Sequence, residues 1–150
     1  PEIKDFLVLI CSMSHPFAKR ETVKISELAQ ESFAMREEGS GTRELFERFM
    51  EDKGISIKTT WEANSSQAIK SAVIENQNLA VISVRLLEEE IRRGQVYVIE
   101  NTGPEWERYF SIVYHKNKLI TDEIKSLIKI VEDYRHTDIL EDVQVGKLIS

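Results

Sequence analysis

The sequence has a single cysteine, three prolines, six glycines and no long apolar run. Its longest continuous apolar segment, Phe6–Cys11, is far too short to cross a membrane as a helix. One cysteine excludes an intramolecular disulfide framework and any zinc site built from several cysteines. The first five residues, Pro1–Asp5, show no signal-peptide pattern. We therefore expect a cytoplasmic protein that folds in a reducing environment.

The sequence also lacks an excess of basic residues. Twenty lysines and arginines stand against 26 aspartates and glutamates, which gives a formal net charge of −6. Proteins that bind DNA usually show a basic excess or patch, because neutralising phosphates supplies most of the affinity. The densest charged segment, Arg85–Arg93, mixes both signs and is typical of a solvated helix face. We expect these 150 residues not to bind nucleic acid directly, although they can form part of a larger DNA-binding protein.

Hydrophobic patterning predicts strands that alternate with helices. Phe6–Cys11 is continuously apolar and rich in branched residues, which indicates a strand that is buried on both faces. The alternation predicts an α/β fold with an open, mostly parallel sheet and helices on both faces. Further strands are expected at 33–36, 57–61, 79–82, 96–99 and 109–114, and helices at 26–30, 42–53, from 64, at 83–94 and from 121.

Three further predictions concern the helix ends and the carboxy-terminal segment. Gly54 is expected to end the helix over 42–53, because glycine adopts the left-handed conformation without steric cost. The last helix begins at Thr121, and its core side is predicted to comprise Ile124, Leu127, Ile128 and Val131. Beyond Arg135 the pattern fades, so residues 138–150 are expected to form a loose or partner-dependent tail.

Two junctions between a predicted strand and a predicted helix stand out chemically. They are Glu38–Arg43 and Glu62–Gln67, and each places small hydroxyl or amide side chains at a helix start. In an open parallel sheet such starts gather at the carboxyl ends of the strands, where ligands bind. Unpaired N–H groups and a partial positive charge at a helix start favour an anion. For either junction taken singly, a tight turn followed by an ordinary helix cap is the better explanation, with no ligand involved, and the presence of two junctions shifts the balance toward a ligand.

Other candidate sites are weaker. The three histidines, His15, His115 and His136, lack the spacing of metal ligands, so we predict no metal and no cofactor. Ser40 is not part of a Gly-x-Ser-x-Gly elbow and has no assignable acid–histidine partner. Cys11 lies within an apolar strand and is interpreted as a core thiol. We therefore predict no catalytic residue and no enzyme activity.

The order of several segments resembles the effector-binding domain of LysR-type transcriptional regulators. The resemblance covers about residues 5–134 and rests on the order and spacing of degenerate motifs. These motifs are His15-Pro-Phe-Ala, Val23-Lys-Ile-Ser-Glu-Leu28, Phe33-Ala-Met-Arg-Glu-Glu-Gly-Ser-Gly-Thr-Arg43, Ser66-Gln-Ala-Ile-Lys-Ser-Ala-Val73, Leu79-Ala-Val-Ile-Ser83 and Phe110–His115.

The resemblance implies a fold similar to type II periplasmic binding proteins, in which a small molecule binds between two α/β subdomains. It implies that residues 15–110 form a complete second subdomain. Residues 1–14 and 111–134 would be crossover strands with a remnant of the first subdomain, followed by a tail at 135–150. It also places the ligand cleft at the helix starts found above and at the end of the first strand. The predicted ligand-binding residues are Ser12, Ser14, Ser40, Gly41, Thr42, Asn64, Ser65 and Ser66.

The sequence departs from the family pattern at two places. Asn76-Gln-Asn78 replaces a glycine-rich turn, and we expect an asparagine to supply the positive φ that the turn needs. The amino-terminal helix-turn-helix and half of the first subdomain are missing, so the chain resembles a carboxy-terminal fragment. We expect this to leave Phe6–Cys11 uncovered until self-association or the tail buries it.

The resulting hypothesis is a ligand-sensing regulatory domain of a LysR-type transcription factor. It would bind a small, anionic effector between the subdomains, form a homo-oligomer, contact no membrane, and reach DNA only through a domain outside this chain. The alternatives are a periplasmic-type solute-binding protein and an enzyme on a related α/β scaffold. The first would need an export signal and a complete first lobe, and the second a positioned acid–base pair or nucleophile.

Overall fold

A computed structural model of the chain describes residues 2–134 and 138–150, apart from the side chain of Glu2. Pro1, Arg135, His136 and Thr137 lie outside the described residues, and so do the expectations for His136 and for the start of the tail. The strands are β1 (Glu2–Ser12), β2 (Thr22–Lys24), β3 (Ser32–Arg36), β4 (Lys58–Ala63), β5 (Ala80–Ser83), β6 (Val96–Asn101), β7 (Glu107–Ser111) and β8 (Gly146–Ile149). The α-helices are α1 (Gly41–Asp52), α2 (Ser66–Asn76), α3 (Glu88–Arg92) and α4 (Asp122–Glu132), and 3-10 turns occupy Ile25–Gln30, Val84–Leu86 and Pro104–Trp106.

The long strand β1 organises the main sheet. It pairs antiparallel with β5, β6 and β7, and the sheet runs in the order β2-β8-β6-β1-β5 with β7 added to the early part of β1. Every pairing without β1 is parallel: β2 with β8, β6 with β8, and β3 with β4 in a separate small sheet. A parallel bridge between Phe33 and Leu79 connects that small sheet to the start of β5.

The central strand β1 is buried on both faces, as its continuous apolar run predicts. Leu7, Leu9 and Cys11 belong to one core cluster, whereas Val8 and Ile10 belong to a second cluster on the opposite face. This alternation follows from the two-residue period of a strand. Residues 7–11 are at most 1% exposed within the single chain, so their burial does not need self-association. The other alternative, burial by the tail, agrees with the packing of Leu148 on the first cluster and of Ile139, Leu140 and Val145 on the second.

Helices cover both faces of this sheet, as predicted. Helix α1 contributes Phe46, Phe49 and Met50 to the first core cluster. Helix α2 contributes Ile69 and Val73, among others, to the second. The mixed α/β architecture thus follows from apolar stripes at helical spacing on either side of an all-apolar strand.

Two turns involve positive φ, one where predicted and one shifted by a residue. Gly54 ends the turn after α1 with φ +69°, as expected for a helix stop. After α2 the left-handed residue is Gln77, with φ 59°, and not one of the flanking asparagines. Asn78 is instead buried, and its side-chain oxygen accepts a hydrogen bond from Thr60 Oγ1 at 3.2 Å. The expectation about asparagine in this turn is therefore wrong.

The carboxy-terminal part of the chain departs most from the predictions. Thr121 caps α4 as expected, but α4 buries no residue, and its predicted core residue Leu127 is 61% exposed. Residues 138–150 are not a loose tail, because they contain β8, whose Leu148 is only 3% exposed. The predicted helix over 83–94 divides into the 3-10 turn Val84–Leu86 and the short α3. The subdomain boundaries remain predictions.

Membrane-spanning helices are not found in the part of the chain that the structure describes, since its helices are too short or too polar.

Candidate ligand-binding site

The ends of several strands lie at one edge of the two sheets. Strands β3 and β4 run parallel, and the Phe33–Leu79 bridge aligns β5 with them. Their carboxyl ends therefore point to the same edge, and α1 and α2 begin just beyond β3 and β4. The start of β1 reaches the same edge because β1 runs antiparallel to β5. This is the place where an open α/β sheet offers a ligand site.

The tip of α1 is formed by the first predicted junction. Gly39 turns the chain with φ +86°, and Ser40 is the N-cap, with its Oγ accepting a hydrogen bond from the Arg43 backbone N–H at 3.5 Å. Gly41 is exposed, and a side chain added there would meet open space. Thr42 is 9% exposed and points into the protein. Ser40 therefore has a capping role, and Thr42 is the hydroxyl that reaches inward.

The tip of α2 is formed by the second junction. Ser65 is the N-cap, and its Oγ accepts a hydrogen bond from the Ala68 backbone N–H at 3.4 Å. Asn64 precedes the cap and is exposed, so the expectation that Asn64 opens the helix is wrong by one residue. Ser66, the first helical residue, is half-buried.

The two helix tips share one small cavity. Thr42 from α1 and Ser66 from α2 both line it, which fulfils the geometric expectation that successive strand–helix units converge. Its volume is about 40 Å³, enough for a group of a few heavy atoms. Its remaining walls are Arg36, Ile69, Val81, Ile82, Ser83, Leu86 and Arg108.

Arg108 is held in this cavity by a network of buried polar groups. Its Nη1 donates to Thr42 Oγ1 at 2.9 Å, and its Nε donates to Asp5 Oδ2 at 2.7 Å. The Asp5 side chain is fully buried, and its other oxygen accepts a hydrogen bond from Ser83 Oγ at 2.7 Å. Arg85 completes the network with its Nε 3.5 Å from Asp5 Oδ1. The Nη2 of Arg108 has no hydrogen-bond partner among residues 2–134 and 138–150, so it remains available to an anion.

Two further arginines surround the tip of α1. Arg36 binds Glu37 through two hydrogen bonds of 2.9 Å, which raise the pKa of Arg36 and lower the pKa of Glu37. Arg43 donates to Glu47 on its own helix, to Glu62 of β4 and to the Arg36 carbonyl, all within 2.9 Å. The hydrogen bonds to Glu47 and then Glu62 raise the pKa of Arg43. These cations stay charged at neutral pH and fix the helix tip against β3 and β4.

This geometry can be compared with known proteins. A sequence model of one family, described as the LysR substrate binding domain, matches residues 2–135, which is nearly the whole chain.

The chain belongs to this family.

Curated relatives of this LysR substrate-binding domain are transcriptional regulators. A RuBisCO operon transcriptional regulator of Allochromatium vinosum is 33% identical over 115 residues, covering 77% of this chain and 38% of that protein. The HTH-type transcriptional activator CmpR of Synechocystis is 31% identical over 115 residues, covering 77% of this chain and 38% of that protein. The chain thus spans about two fifths of the length of these relatives.

Solved structures show the same fold. The Synechocystis PCC6803 CcmR regulatory domain in complex with 2-PG gives a TM-score of 0.70 at 22% identity, covering 86% of this chain and 62% of that one. The effector binding domain of QuiR in complex with shikimate gives 0.71 at 20% identity, covering 84% and 59%. These similarities confirm the predicted α/β fold of the type II periplasmic-binding-protein kind.

Two predicted site residues of the LysR domain lie elsewhere. Ser12 is the last residue of β1 and Ser14 follows the strand, which places Ser12 seven residues beyond Asp5 and roughly 23 Å along the strand from the cavity edge. Their hydroxyls bond each other at 2.9 Å, and Ser14 also accepts a hydrogen bond from Gln77, at the far end of α2. The expectation that they join the cleft fails because β1 is antiparallel to its neighbours, so its carboxyl end lies at the opposite edge.

Three polar cavity residues were not among the predicted ligand-binding residues. Arg36 and Ser83 end β3 and β5, so their position at the carboxyl end of a predicted strand was a usable signal. Arg108 reaches the cavity only through the antiparallel pairing of β7 with β1, in which it lies opposite Asp5. No local sequence pattern indicates that pairing.

Other predicted features have structural roles. His15 is buried, its Nδ1 accepts a hydrogen bond from the Phe17 N–H at 3.0 Å, and its Nε2 lies 3.0 Å from Glu31 Oε2. Within the described ranges no group of three or more histidine, cysteine or acidic side chains is arranged to hold a metal. A larger cavity, about 610 Å³, lies away from the helix tips, between the start of β1, the 100–107 turn and residues 138–145.

Proposed function

We propose that this LysR substrate-binding domain senses a small anionic metabolite at the shared tip of α1 and α2. The observation that supports the proposal is the cavity in which Thr42, Ser66 and Arg108 meet. These residues come from two helix starts and a strand that is remote in sequence. Together they supply hydroxyl donors, the partial positive charge of two helix starts and one fixed cation.

The size of the cavity limits what enters it. A volume of about 40 Å³ accepts an anionic head group and not a whole metabolite. The head group would accept hydrogen bonds from the free Nη2 of Arg108 and from the hydroxyl of Ser66. The remainder of the ligand would extend away from the sheet edge.

The ligands bound by structural neighbours support the proposal that the ligand of this chain is an anion. The CcmR domain was solved with 2-PG and the QuiR domain with shikimate, and shikimate carries a carboxylate. We propose a ligand of the same kind for this chain: a small metabolite with a carboxylate or phosphate group. Gly41, Asn64 and Ser65 are proposed to line the mouth of the site, since they are exposed beside it. Ser40 contributes indirectly, by capping α1.

The curated relatives are transcriptional regulators and support a proposal about the role of this domain in transcription. We propose that a helix-turn-helix domain outside these 150 residues binds DNA, and that ligand binding here changes DNA binding or transcription. A cytoplasmic homo-oligomer is part of the same proposal, in which subunit contacts would carry the effect of the ligand to the DNA-binding domain.

The proposal is tested by titrating the chain with inorganic phosphate and with acetate, using calorimetry. We expect at least one anion to bind, and replacement of Arg108 by glutamine to weaken binding at least tenfold, about 1.4 kcal/mol. Arg92, which is exposed on α3 and bonded to Glu89, gives the matched control Arg92→Gln, whose affinity should equal that of the original chain. Equal affinity in Arg108→Gln would remove the site assignment.

A further inference from the structure

The residues 138–149, here called the strap, form an integral part of the main sheet. Its strand β8 lies between β2 and β6 and is parallel to both. Among the described residues β2 has no strand partner except β8, so β8 alone joins β2 to the sheet. Ile139, Leu140 and Val145 of the strap pack against the second core cluster.

Gly146 shows that the docking is specific. A Cβ at this position would lie 2.7 Å from the Arg20 carbonyl oxygen and 3.2 Å from the Tyr97 hydroxyl. That same hydroxyl donates a hydrogen bond of 2.6 Å to the Arg20 carbonyl. The next residue, Lys147, donates its backbone N–H to the Glu21 carbonyl at 2.9 Å. The strap therefore approaches its neighbours more closely than any residue with a side chain allows.

The strap pairs with the last residues of β6 before the chain turns toward Arg108. Gly146 and Leu148 lie opposite Ile99 and Asn101. The following turn contains Trp106, which is 1% exposed and packs edge-on against Phe46 and Phe49 of α1, with ring centroids 5.9 and 5.3 Å apart.

Two residues beyond Trp106, Arg108 reaches the candidate site. One continuous packed path therefore leads from β8 through the 102–106 turn to Arg108 and to the tip of α1.

We propose that the strap is a regulatory element that sets the position of Arg108. Docked, it fixes the end of β6 and the turn after it, which holds Arg108 against Thr42 and Asp5. Released, it leaves β2 without a partner and the turn without support on one side. The strap is suited to release because β8 has only four residues and Leu148 is its one buried large side chain. The effect on ligand affinity rests on the proposed function, whereas the effect on Arg108 does not.

The test uses two strap variants. Gly146→Val displaces the strap because its side chain would clash with the Arg20 carbonyl, and Leu148→Ala weakens docking without a steric clash. Lys147→Ala is the control, because this side chain is exposed. We expect both strap variants to raise the amide exchange rate of Val23, which lies opposite Leu148, about 100-fold, and the control to leave it unchanged. Exposed Trp61 is replaced by phenylalanine in all proteins, so that fluorescence reports Trp106 alone.

The strap variants should also shift the emission of Trp106, move the Arg108 Nε–H resonance and weaken phosphate binding about tenfold. Faster exchange in β2 with unchanged Trp106 emission and Arg108 resonance would overturn the proposal, since the strap would then be only structural. Unchanged exchange in β2 would overturn it as well. If phosphate and acetate bind neither the original chain nor its variants, the proposed function fails, and the Arg108 resonance still decides the role of the strap.

Discussion

Arg108 Nη1 lies 2.9 Å from Thr42 Oγ1, so one hydrogen bond connects strand β7 to the first turn of helix α1. The same guanidinium is bound to buried Asp5 on β1. Arg108 therefore connects three elements: its own strand β7, the long strand β1 and the tip of α1. A ligand that binds Arg108 therefore acts on all three elements together. Ligand-induced reorientation needs a contact of this kind, because a ligand shifts only an equilibrium whose states it binds unequally.

Valine has the shape of threonine but lacks its hydroxyl, so Thr42→Val removes the partly buried acceptor of the Arg108 Nη1 hydrogen bond. We expect this change to destabilise the domain by about 1 kcal/mol. Thr42→Ser keeps the hydroxyl and should recover most of that stability. The measurement is urea unfolding followed by circular dichroism. A valine variant as stable as the original chain would show that water replaces the Thr42 hydroxyl without cost.

Asp5→Asn should have a much larger effect. The Asp5 side chain is fully buried and contacts both Arg108 and Arg85, so a neutral residue at this position removes a buried negative charge that both guanidinium groups contact. We expect a loss of about 3–5 kcal/mol in the free energy of unfolding. Glu107→Gln is the matched control, because the Lys4–Glu107 pair is exposed and should contribute less than about 1 kcal/mol. Similar losses in both variants would contradict a special role for the buried network.

The sequence predicted those parts of the fold that local patterns determine. The run around Leu7–Cys11 predicted a strand buried on both faces, because no polar residue interrupts its two-residue period. Phe46, Phe49 and Met50 predicted the buried face of α1 in the same way. The junctions at Ser40 and Ser65 predicted helix starts, since a hydroxyl at the N-cap satisfies a free backbone N–H.

Local sequence patterns do not predict strand direction or the pairing of strands that are distant in the sequence. Nothing in residues 6–12 indicates that β1 runs antiparallel to its neighbours, and this direction separates Ser12 from the helix tips. Strand β8 is only four residues long, with a single buried large side chain, so its apolar alternation is too short to recognise. Arg108 lies at the candidate site because the pairing of β7 with β1 places it opposite Asp5, and this pairing joins residues that are far apart in the sequence.

The third prediction compares a buried apolar side chain on α1 with an exposed one on α4. Phe46 is fully buried against Phe33 and Trp106, whereas Leu127 on α4 is 61% exposed. Phe46→Ala should therefore lower the free energy of unfolding by about 3–5 kcal/mol. Leu127→Ala should change it by less than about 0.5 kcal/mol. Thermal unfolding of dilute samples checks both values, and a large loss in Leu127→Ala would mean that α4 is packed in solution.

Burial raises the pKa of the Cys11 thiol to about 12, from an ordinary value of 9.0. The folded state therefore keeps this thiol protonated at a pH at which the unfolded chain releases its proton. The resulting stability is fully present below about pH 9 and is lost progressively as the pH rises toward about 12. Between about pH 9 and about pH 10, this group should lower the free energy of unfolding by about 1 kcal/mol.

Cys11→Ala removes the titrating group at little change in volume, so its stability should fall less steeply with pH than that of the original chain. Subtracting the two unfolding curves isolates Cys11 from Tyr97, whose pKa is also raised by burial. The same burial predicts that a thiol reagent modifies native Cys11 no faster than the chain unfolds. Rapid modification at neutral pH, or parallel alkaline slopes for the two proteins, would show that solvent reaches the centre of β1.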